Sequence, residues 1–408
     1  MLRTVSNAEI DYSSTDFYFD PLPGPDFARA LHSLRKQGPV VPTSAVGGSL
    51  PIFYIVGYEA LAEAFRDGER FPPHHAYQII SQPFIGETFM SMAPDRHRLW
   101  RPAMTPAFRR ATVERLADAE LAGVAHELID RVEAAGRGDL VRNFTRLFAF
   151  AIICRQLGLP RDHEDEFYDW SMDLMFGGRD LEKSRAADAK LTAFVTPVLE
   201  ARRREARDDV ISSWLDAHVQ GEFGEEAISD AAILAHIRLF FTAGATTTSD
   251  ALGNLVHALL SHRDRAEIWR SCTESPARCD DAVQELLRWN PPVAAQPRFS
   301  RPDTEIEFFG RNMGPTSSVL FCIAAANRDP DVYPDPDRFD IDRRPKELLS
   351  FGPGLRTCPG MHLARKNLRV ALRVLAERLP ALQLIAPDDC APRGILLRGP
   401  GSLPARWD

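Results

Sequence analysis

The stretch Phe351-Gly-Pro-Gly-Leu-Arg-Thr-Cys-Pro-Gly360 limits the fold more than any other part of this chain. It sets one cysteine in a loop stiffened by glycine and proline, with Arg356 two residues before it. Directly after it, Met361, Ala364, Leu368, Ala371, Leu372, Leu375 and Leu379 recur at helical spacing. Arg365, Lys366, Arg369 and Arg373 fall off that stripe, as on an amphipathic helix. Cys358 thus stands at a helix N-terminus, where free backbone N–H groups and the helix dipole favour an anion. A thiolate is the form such a position stabilises. Pro359 suits the first helical position, because its φ is preset and it has no N–H to satisfy. Gly352 and Gly354 let the backbone lie close to something flat and large. A lone cysteine in a turn is more often a buried structural residue; what else the chain carries therefore matters.

Three further groupings bear on chemistry. Glu285-Leu-Leu-Arg288 puts an acid and a base three apart on one helix, ordinarily a solvated pair worth under about 1 kcal/mol. Pro292-Val293, Arg298 and Pro336-Asp-Arg338-Phe339 follow it. Phe240-Phe-Thr-Ala-Gly-Ala-Thr-Thr-Thr248 places a glycine and three consecutive threonines inside a helical pattern. That is poor helix chemistry, and threonine hydroxyls compete for carbonyls four residues back. A small-residue helix crossing explains it equally well. His97-Arg-Leu-Trp-Arg101 puts His97 and Arg101 on one helix face, enough to pinch one anionic group. A lone histidine is more often a satisfied polar residue.

Phe-x-x-Gly-x-Arg-x-Cys-x-Gly, filled by Phe351, Gly354, Arg356, Cys358 and Gly360, resembles the haem-thiolate loop of the cytochrome P-450 family. The likeness runs through four ordered motifs, from residue 97 to residue 404. It implies a mainly α fold, a large helical part with a smaller β-containing part, as a single domain over residues 1–408. It implies haem b, with Cys358 as the axial iron ligand. His97, Arg101, Arg298 and Arg356 would hold the haem propionates, with Phe351, Ala243 and Gly244 beside the cofactor. Glu285, Arg288 and Arg338 would form a buried charge triad that fixes the architecture around the cysteine loop. The threonine-rich helix would carry an oxygen-binding groove, locally distorted, with Thr247 as the proton relay.

At one place the chain departs from the family pattern. Thr246 stands where an acid is usual; a hydroxyl passes protons along a water chain but is a poor acid. Thr246 is expected to assist Thr247, and Asp250 lies four residues further on. The activity implied is a monooxygenase acting on a small hydrophobic molecule. Phe240, Ala243, Val293, Ala294 and Leu396 are its expected contacts, with residues 72–92 and 172–176, all largely apolar. His74 and His75 could recognise a polar group. Electrons would come from NAD(P)H through a separate ferredoxin-type donor, which Arg109, Arg110, Arg365 and Lys366 could dock. A peroxide-using or nitric-oxide-reducing enzyme, and a non-catalytic haem-based sensor, stay open as alternatives.

Bulk properties narrow the field. With Lys and Arg at 49 against 57 Asp and Glu, the net charge is -8, which argues against a nucleic-acid partner. The six cysteines include no Cys-x-x-Cys pair and suit reduced thiols in a cytoplasm. The first residues hold no apolar run of the length a signal peptide or membrane anchor needs, so a soluble, cytoplasmic protein of bacterial type is expected. His-Glu-x-x-His, the phosphate-binding Gly-x-x-x-x-Gly-Lys-Ser/Thr and Gly-x-Ser-x-Gly are all missing, which leaves hydrolase readings unsupported. Along the chain, an irregular arm over residues 1–25 should precede a short helix at 26–36 and strands at 40–41 and 52–56. A long loop is expected over 72–92, then mainly helix over 95–207, 229–262 and 280–289. Strands are expected at 306–309 and 319–323.

Overall fold

A computed structural model of the chain describes residues 22, 24–44, 51–219, 228–262 and 264–408. The expected arm lies outside the described residues, apart from residues 22, 24 and 25. The amino-terminal part runs α1 (Gly24–Arg35), β1 (Val40–Ser44), β2 (Pro51–Ile55), α2 (Tyr58–Arg66), α3 (Pro73–Ile80) and α4 (Gln82–Ile85). The helical body follows: α5 (Pro94–Met104), α6 (Arg110–Arg115), α7 (Asp118–Asp130), the short β3 (Arg137–Asp139) and α8 (Arg146–Leu157). It continues through α9 (Phe167–Met175), α10 (Leu181–Arg204), α11 (Val210–Val219), α12 (Asp230–Ser261), α13 (Arg265–Glu274) and α14 (Pro276–Trp289). The last third holds β4 (Gln296–Phe299), β5 (Ile306–Phe308), β6 (Arg311–Met313), β7 (Ser318–Phe321) and α15 (Ile323–Ala326). It closes with α16 (Met361–Arg378), β8 (Gln383–Leu384) and β9 (Pro404–Arg406).

Helix dominates because apolar residues recur at helical spacing through most of the middle of the chain. The 32-residue α12 is the axis of the body. Its N-terminus is capped by the Ser229 hydroxyl, which accepts from the Ala232 N–H at 3.1 Å. Its apolar faces feed two cores. One joins α12 to α7, α14 and α16 through Leu252, Leu255, Leu286 and Leu372; the other joins it to α5, α10 and α11 through Ile237, Phe241, Leu199 and Trp214.

The main sheet has the order β1-β2-β7-β4. β2 and β7 are parallel, with Ile52 opposite Ser318; β4 runs antiparallel to β7, with Arg298 opposite Val319. Phe53, Ile55, Val319 and Phe321 pack on one face, and Ile52, Tyr54, Leu320 and Cys322 on the other, as the two-residue strand period requires. A second sheet, β3-β9-β8, ties residues 137–139 to the carboxyl end. Mainly α, with small sheets formed between distant segments, is the fold expected from sequence.

Residues 72–92 are not one loop. Pro73 begins α3 as a helix-starting proline, and Gly86, at φ 91°, ends α4. The helix was hidden because Ile79 and Ile80 are exposed and only Ala76 of α3 is fully buried, so no apolar stripe marks it.

Candidate active site

The cysteine loop closes on itself before α16. The Cys358 N–H donates to the Phe351 carbonyl at 2.8 Å and the Thr357 N–H to the Gly354 carbonyl at 3.1 Å. Gly352 and Gly354 have φ of 61° and 114°. A Cβ on Gly354 would lie 2.5 Å from the Phe65 carbonyl oxygen, so this glycine lets the loop seat against the end of α2. Helix α16 starts at Met361 with Gly360 as its N-cap, so Pro359 precedes the helix instead of opening it. Cys358 has accessible surface, and it lines a cavity with protein packed around it. Burial pushes its thiol above the ordinary value, and the Gly360 N–H, Arg101 and the Met361 N–H work against that rise. The helix start alone therefore does not make the thiolate; a cation bound at the sulfur would.

The cavity, about 310 Å³, brings the loop and α12 together. Cys358, Phe351, Phe240, Ala243, Gly244 and Thr247 all line it. Helix α12 is α-helical throughout this stretch, so the distortion expected there is not seen. The Thr247 hydroxyl instead donates to the Ala243 carbonyl at 2.6 Å, and the Thr246 hydroxyl to the Thr242 carbonyl at 2.6 Å. Thr246 is fully buried and does not line the cavity. Successive residues on a helix point about 100° apart, so a turn that aims Thr247 inward aims Thr246 elsewhere.

Four basic side chains gather here, Arg298 and Arg356 lining the cavity and His97 and Arg101 behind it, and among the described residues none of them pairs with a carboxylate. His97 is buried and its Nε2 has no hydrogen-bond partner. Burial, then Arg356 and Arg101, pushes its pKa down to about 3, so it is a neutral imidazole. Arg356 donates to the carbonyls of Phe89, Met90 at 3.0 Å and Met92 at 2.6 Å. Burial lowers its pKa to about 10. Arg101 donates to the Thr357 carbonyl, and burial lowers its pKa too. Arg298, 4% exposed, lies 5.3 Å over the Tyr77 ring and donates to the Pro297 carbonyl at 2.8 Å. Buried guanidiniums are costly without an anion. An imidazole nitrogen without a partner, close to the half-buried Arg356 and Arg101 with the buried Arg298 near Arg356, makes a site that suits carboxylates.

The profile of the cytochrome P-450 family matches residues 26–268 and 279–380. This chain is a cytochrome P-450. It is 33% identical over 324 residues to a mycinamicin IV hydroxylase/epoxidase of Micromonospora griseorubida, covering 78% of this chain and 79% of that one. It is 30% identical to a vitamin D(3) 25-hydroxylase of Pseudonocardia autotrophica, covering 99% and 98%. The crystal structure of CalO2 superposes with a TM-score of 0.83 at 29% identity, over 98% of each chain. The family's cofactor is haem b, its activity is monooxygenation, and the residues here fit the cofactor. Cys358 lines the cavity wall, where it would supply the iron ligand, and the cationic group would suit the two propionates. No helix among the described residues is long and apolar enough to cross a membrane.

Around this P-450 centre, three expectations need correcting. Glu285 and Arg288 are both fully buried and joined by two bonds, Nε to Oε2 at 2.8 Å and Nη2 to Oε1 at 2.7 Å. Arg338, however, gives this cluster only its carbonyl, which accepts from Arg288 at 3.2 Å. Its guanidinium is 60% exposed and pairs with Asp340. The third base is Arg343, 11% exposed, with Nε 3.4 Å from Glu285.

Val293 lines the cavity, but Ala294 and Leu396 do not. The Ala294 N–H donates to the Leu396 carbonyl at 3.1 Å, and both pack into the core behind the main sheet. Of the four basic residues offered for docking, Lys366 is committed: it donates to the Val113 carbonyl at 3.0 Å and pairs with Asp118 at 3.2 Å. Arg365 stacks over Phe351 at 5.1 Å. Arg109 and Arg110 are exposed, the latter paired with Glu114 at 2.7 Å.

Sequence reasoning missed Phe65 and Phe108, and did not single out Tyr77 within the expected residues 72–92; all three line the cavity. Tyr77 accepts from Gln296 Nε2 at 2.8 Å, linking α3 to β4. An aromatic four residues after Pro73 would have flagged it had α3 been recognised.

Proposed function

We propose that this P-450 inserts one oxygen atom of O₂ into a small, hydrophobic organic molecule, with electrons from NAD(P)H through a separate ferredoxin-type donor. The single observation that carries the substrate class is the cavity lining. Phe240, Ala243 and Val293 face the same space as Cys358, among other apolar side chains, with few polar groups to orient a ligand. Two of the relatives are named as hydroxylases of mycinamicin IV and vitamin D(3), both organic molecules.

When bound, haem b supplies the oxygen-activating redox chemistry. The chain's own residues do the rest. His97, Arg101, Arg298 and Arg356 would hold its carboxylates, and Cys358 Sγ would ligate the iron. The apolar wall keeps bulk water from the substrate. Thr247 and Thr248 both line the groove; the Thr247 hydroxyl spends its own proton on Ala243, so its lone pairs are left to accept a proton, which it would pass on by rotating. Arg109 and Arg110, exposed near the start of α6, are the remaining basic candidates for donor docking.

Titration of the haem-loaded protein with vitamin D(3) and with mycinamicin IV tests the substrate class. A spin-state shift of the haem absorption by at least one of them is expected. Binding confined to small polar compounds would overturn it. Thr247→Ala should lower product formed per NADH consumed by roughly tenfold or more, with the excess released as hydrogen peroxide; unchanged coupling would remove Thr247 from the proton path. Peroxide use is the second reading, favoured by Thr246 being neither acidic nor in the cavity. Turnover with peroxide alone, and none with O₂ and reductant, would select it.

A further inference from the structure

Residues 86–92 link α4 to α5, and they hold the arginine of the cysteine loop. Phe89 and Met90 line the cavity beside Arg356. The Arg356 guanidinium donates from Nη1 to the Phe89 and Met90 carbonyls and from Nη2 to the Met92 carbonyl. A guanidinium carries five N–H groups, so these bonds leave Nε–H and one Nη2–H for an anion. Where the three carbonyls lie therefore decides where those two donors point.

His236, near the start of α12, is what fixes this segment to the long helix. It is fully buried. The Phe89 N–H donates to its Nε2 at 3.0 Å, and its Nδ1 lies 2.7 Å from the Ala232 carbonyl. A backbone N–H can only donate and a carbonyl can only accept. The proton therefore sits on Nδ1 and the lone pair on Nε2, one tautomer set from both sides. Burial lowers the pKa of the ring to about 4, so it stays neutral at physiological pH and keeps that lone pair. The ring also stacks on Phe89 at 5.6 Å and on Trp100 at 5.7 Å, and the Phe89 ring in turn lies 6.2 Å from that of His97.

The neighbouring residues are built for the same contact. A Cβ on Gly86 would lie 2.9 Å from the Ala235 Cβ, so a glycine there lets the segment settle on α12. The Ser91 hydroxyl donates to the Thr88 carbonyl at 3.1 Å and accepts from the Thr88 N–H at 3.2 Å, which closes the turn on itself. The Phe89–His236 bond then ties the closed turn to the helix.

We propose that His236 is a positioning residue for the cofactor: by holding the Phe89 N–H it places the carbonyls that aim Arg356 at a haem propionate. His236 does not line the cavity, so it acts through residues 89–92 and touches neither cofactor nor substrate. Without the Nε2 acceptor, the N–H of Phe89, a residue only 1% exposed, is left unpaired. A buried donor without a partner is costly, and the segment shifts to satisfy it, carrying the carbonyls and the donors of Arg356 with it. This rests on the reading that haem binds at Cys358.

Three variants of the haem-loaded full chain test it. His236→Phe keeps a ring to stack and removes both bonds. His236→Asn keeps a donor near the Ala232 carbonyl and removes the acceptor for Phe89; it carries the test if the Phe variant does not fold. His236→Gln keeps an acceptor at the reach of Nε2. Haem transfer to excess apomyoglobin should be severalfold faster from the Phe and Asn variants than from the wild type, and close to the wild-type rate from the Gln variant. The propionate-bending band in resonance Raman spectra should shift in the first two and return in the third. Combined with Arg356→Lys, His236→Asn should add less than its separate effect on haem loss, because both act at one contact. Unchanged haem loss and an unchanged Raman band in His236→Asn would overturn the proposal. So would equally fast loss from all three variants, or effects that multiply fully with Arg356→Lys, either of which would mark a merely structural role. A wild type that takes up no haem would sink the haem reading and the proposal with it, whereas a wild type that binds haem beside indifferent variants sinks the proposal alone.

Discussion

Glu285→Ala is expected to lower the stability of the folded protein by about 3–5 kcal/mol, because it strands a buried guanidinium. Glu285 accepts two bonds from Arg288, at 2.8 and 2.7 Å, and one from the Asp340 N–H at 2.9 Å. Arg288 also holds the carbonyls of Asn327 at 3.1 Å and Pro336 at 2.8 Å. The pair therefore staples α14 to the segment before the cysteine loop. Against a total stability of roughly 5–15 kcal/mol, the loss is large enough to leave much of the chain unfolded at physiological temperature. Urea unfolding followed by circular dichroism measures it. The same experiment separates the two candidate partners. Arg343→Ala should be clearly destabilising, whereas Arg338→Ala, with its guanidinium at the surface, should stay within about 0.5 kcal/mol. The reverse order would restore Arg338 to the triad.

Cys358→Ala is the second large effect, and it falls on activity. The side chain faces the cavity, while the loop is closed by backbone bonds, the Cys358 N–H to Phe351 at 2.8 Å among them. The variant should accordingly fold, with an unfolding midpoint close to that of the wild type. The cations around the cavity should still hold haem, but without a thiolate ligand, and turnover with O₂ and reductant should fall below detection. Turnover near the wild-type rate would mean that another residue ligates the iron.

The cysteine loop, α16, α12 and the Glu285–Arg288 pair were legible because each is local. Spacing within ten or so residues defines them, and the His97–Arg101 pairing needs only a helix. The errors share a different cause. Whether Arg338 or Arg343 reaches Glu285 depends on how residues 334–343 fold back on α14, and no local period encodes that. Ala294 follows the cavity residue Val293 in sequence, yet its N–H bonds the Leu396 carbonyl at 3.1 Å, and both side chains pack at the core behind the main sheet. Helix α3 was missed because one side of it borders a cavity and another is exposed, which erases the apolar stripe. Asp250 could be noticed in the sequence but not placed. Its partners Tyr168, Arg146 and Gly399 are 82 to 149 residues away and come together only in the fold.

The absorption spectrum of the purified, haem-loaded protein, reduced and bound to carbon monoxide, tests the central claim most directly. Ligation by Cys358 predicts the strongly red-shifted Soret band that thiolate-ligated haem gives, and its loss in Cys358→Ala. A band at the position typical of imidazole or neutral thiol ligation, or a red-shifted band that survives Cys358→Ala, would contradict it.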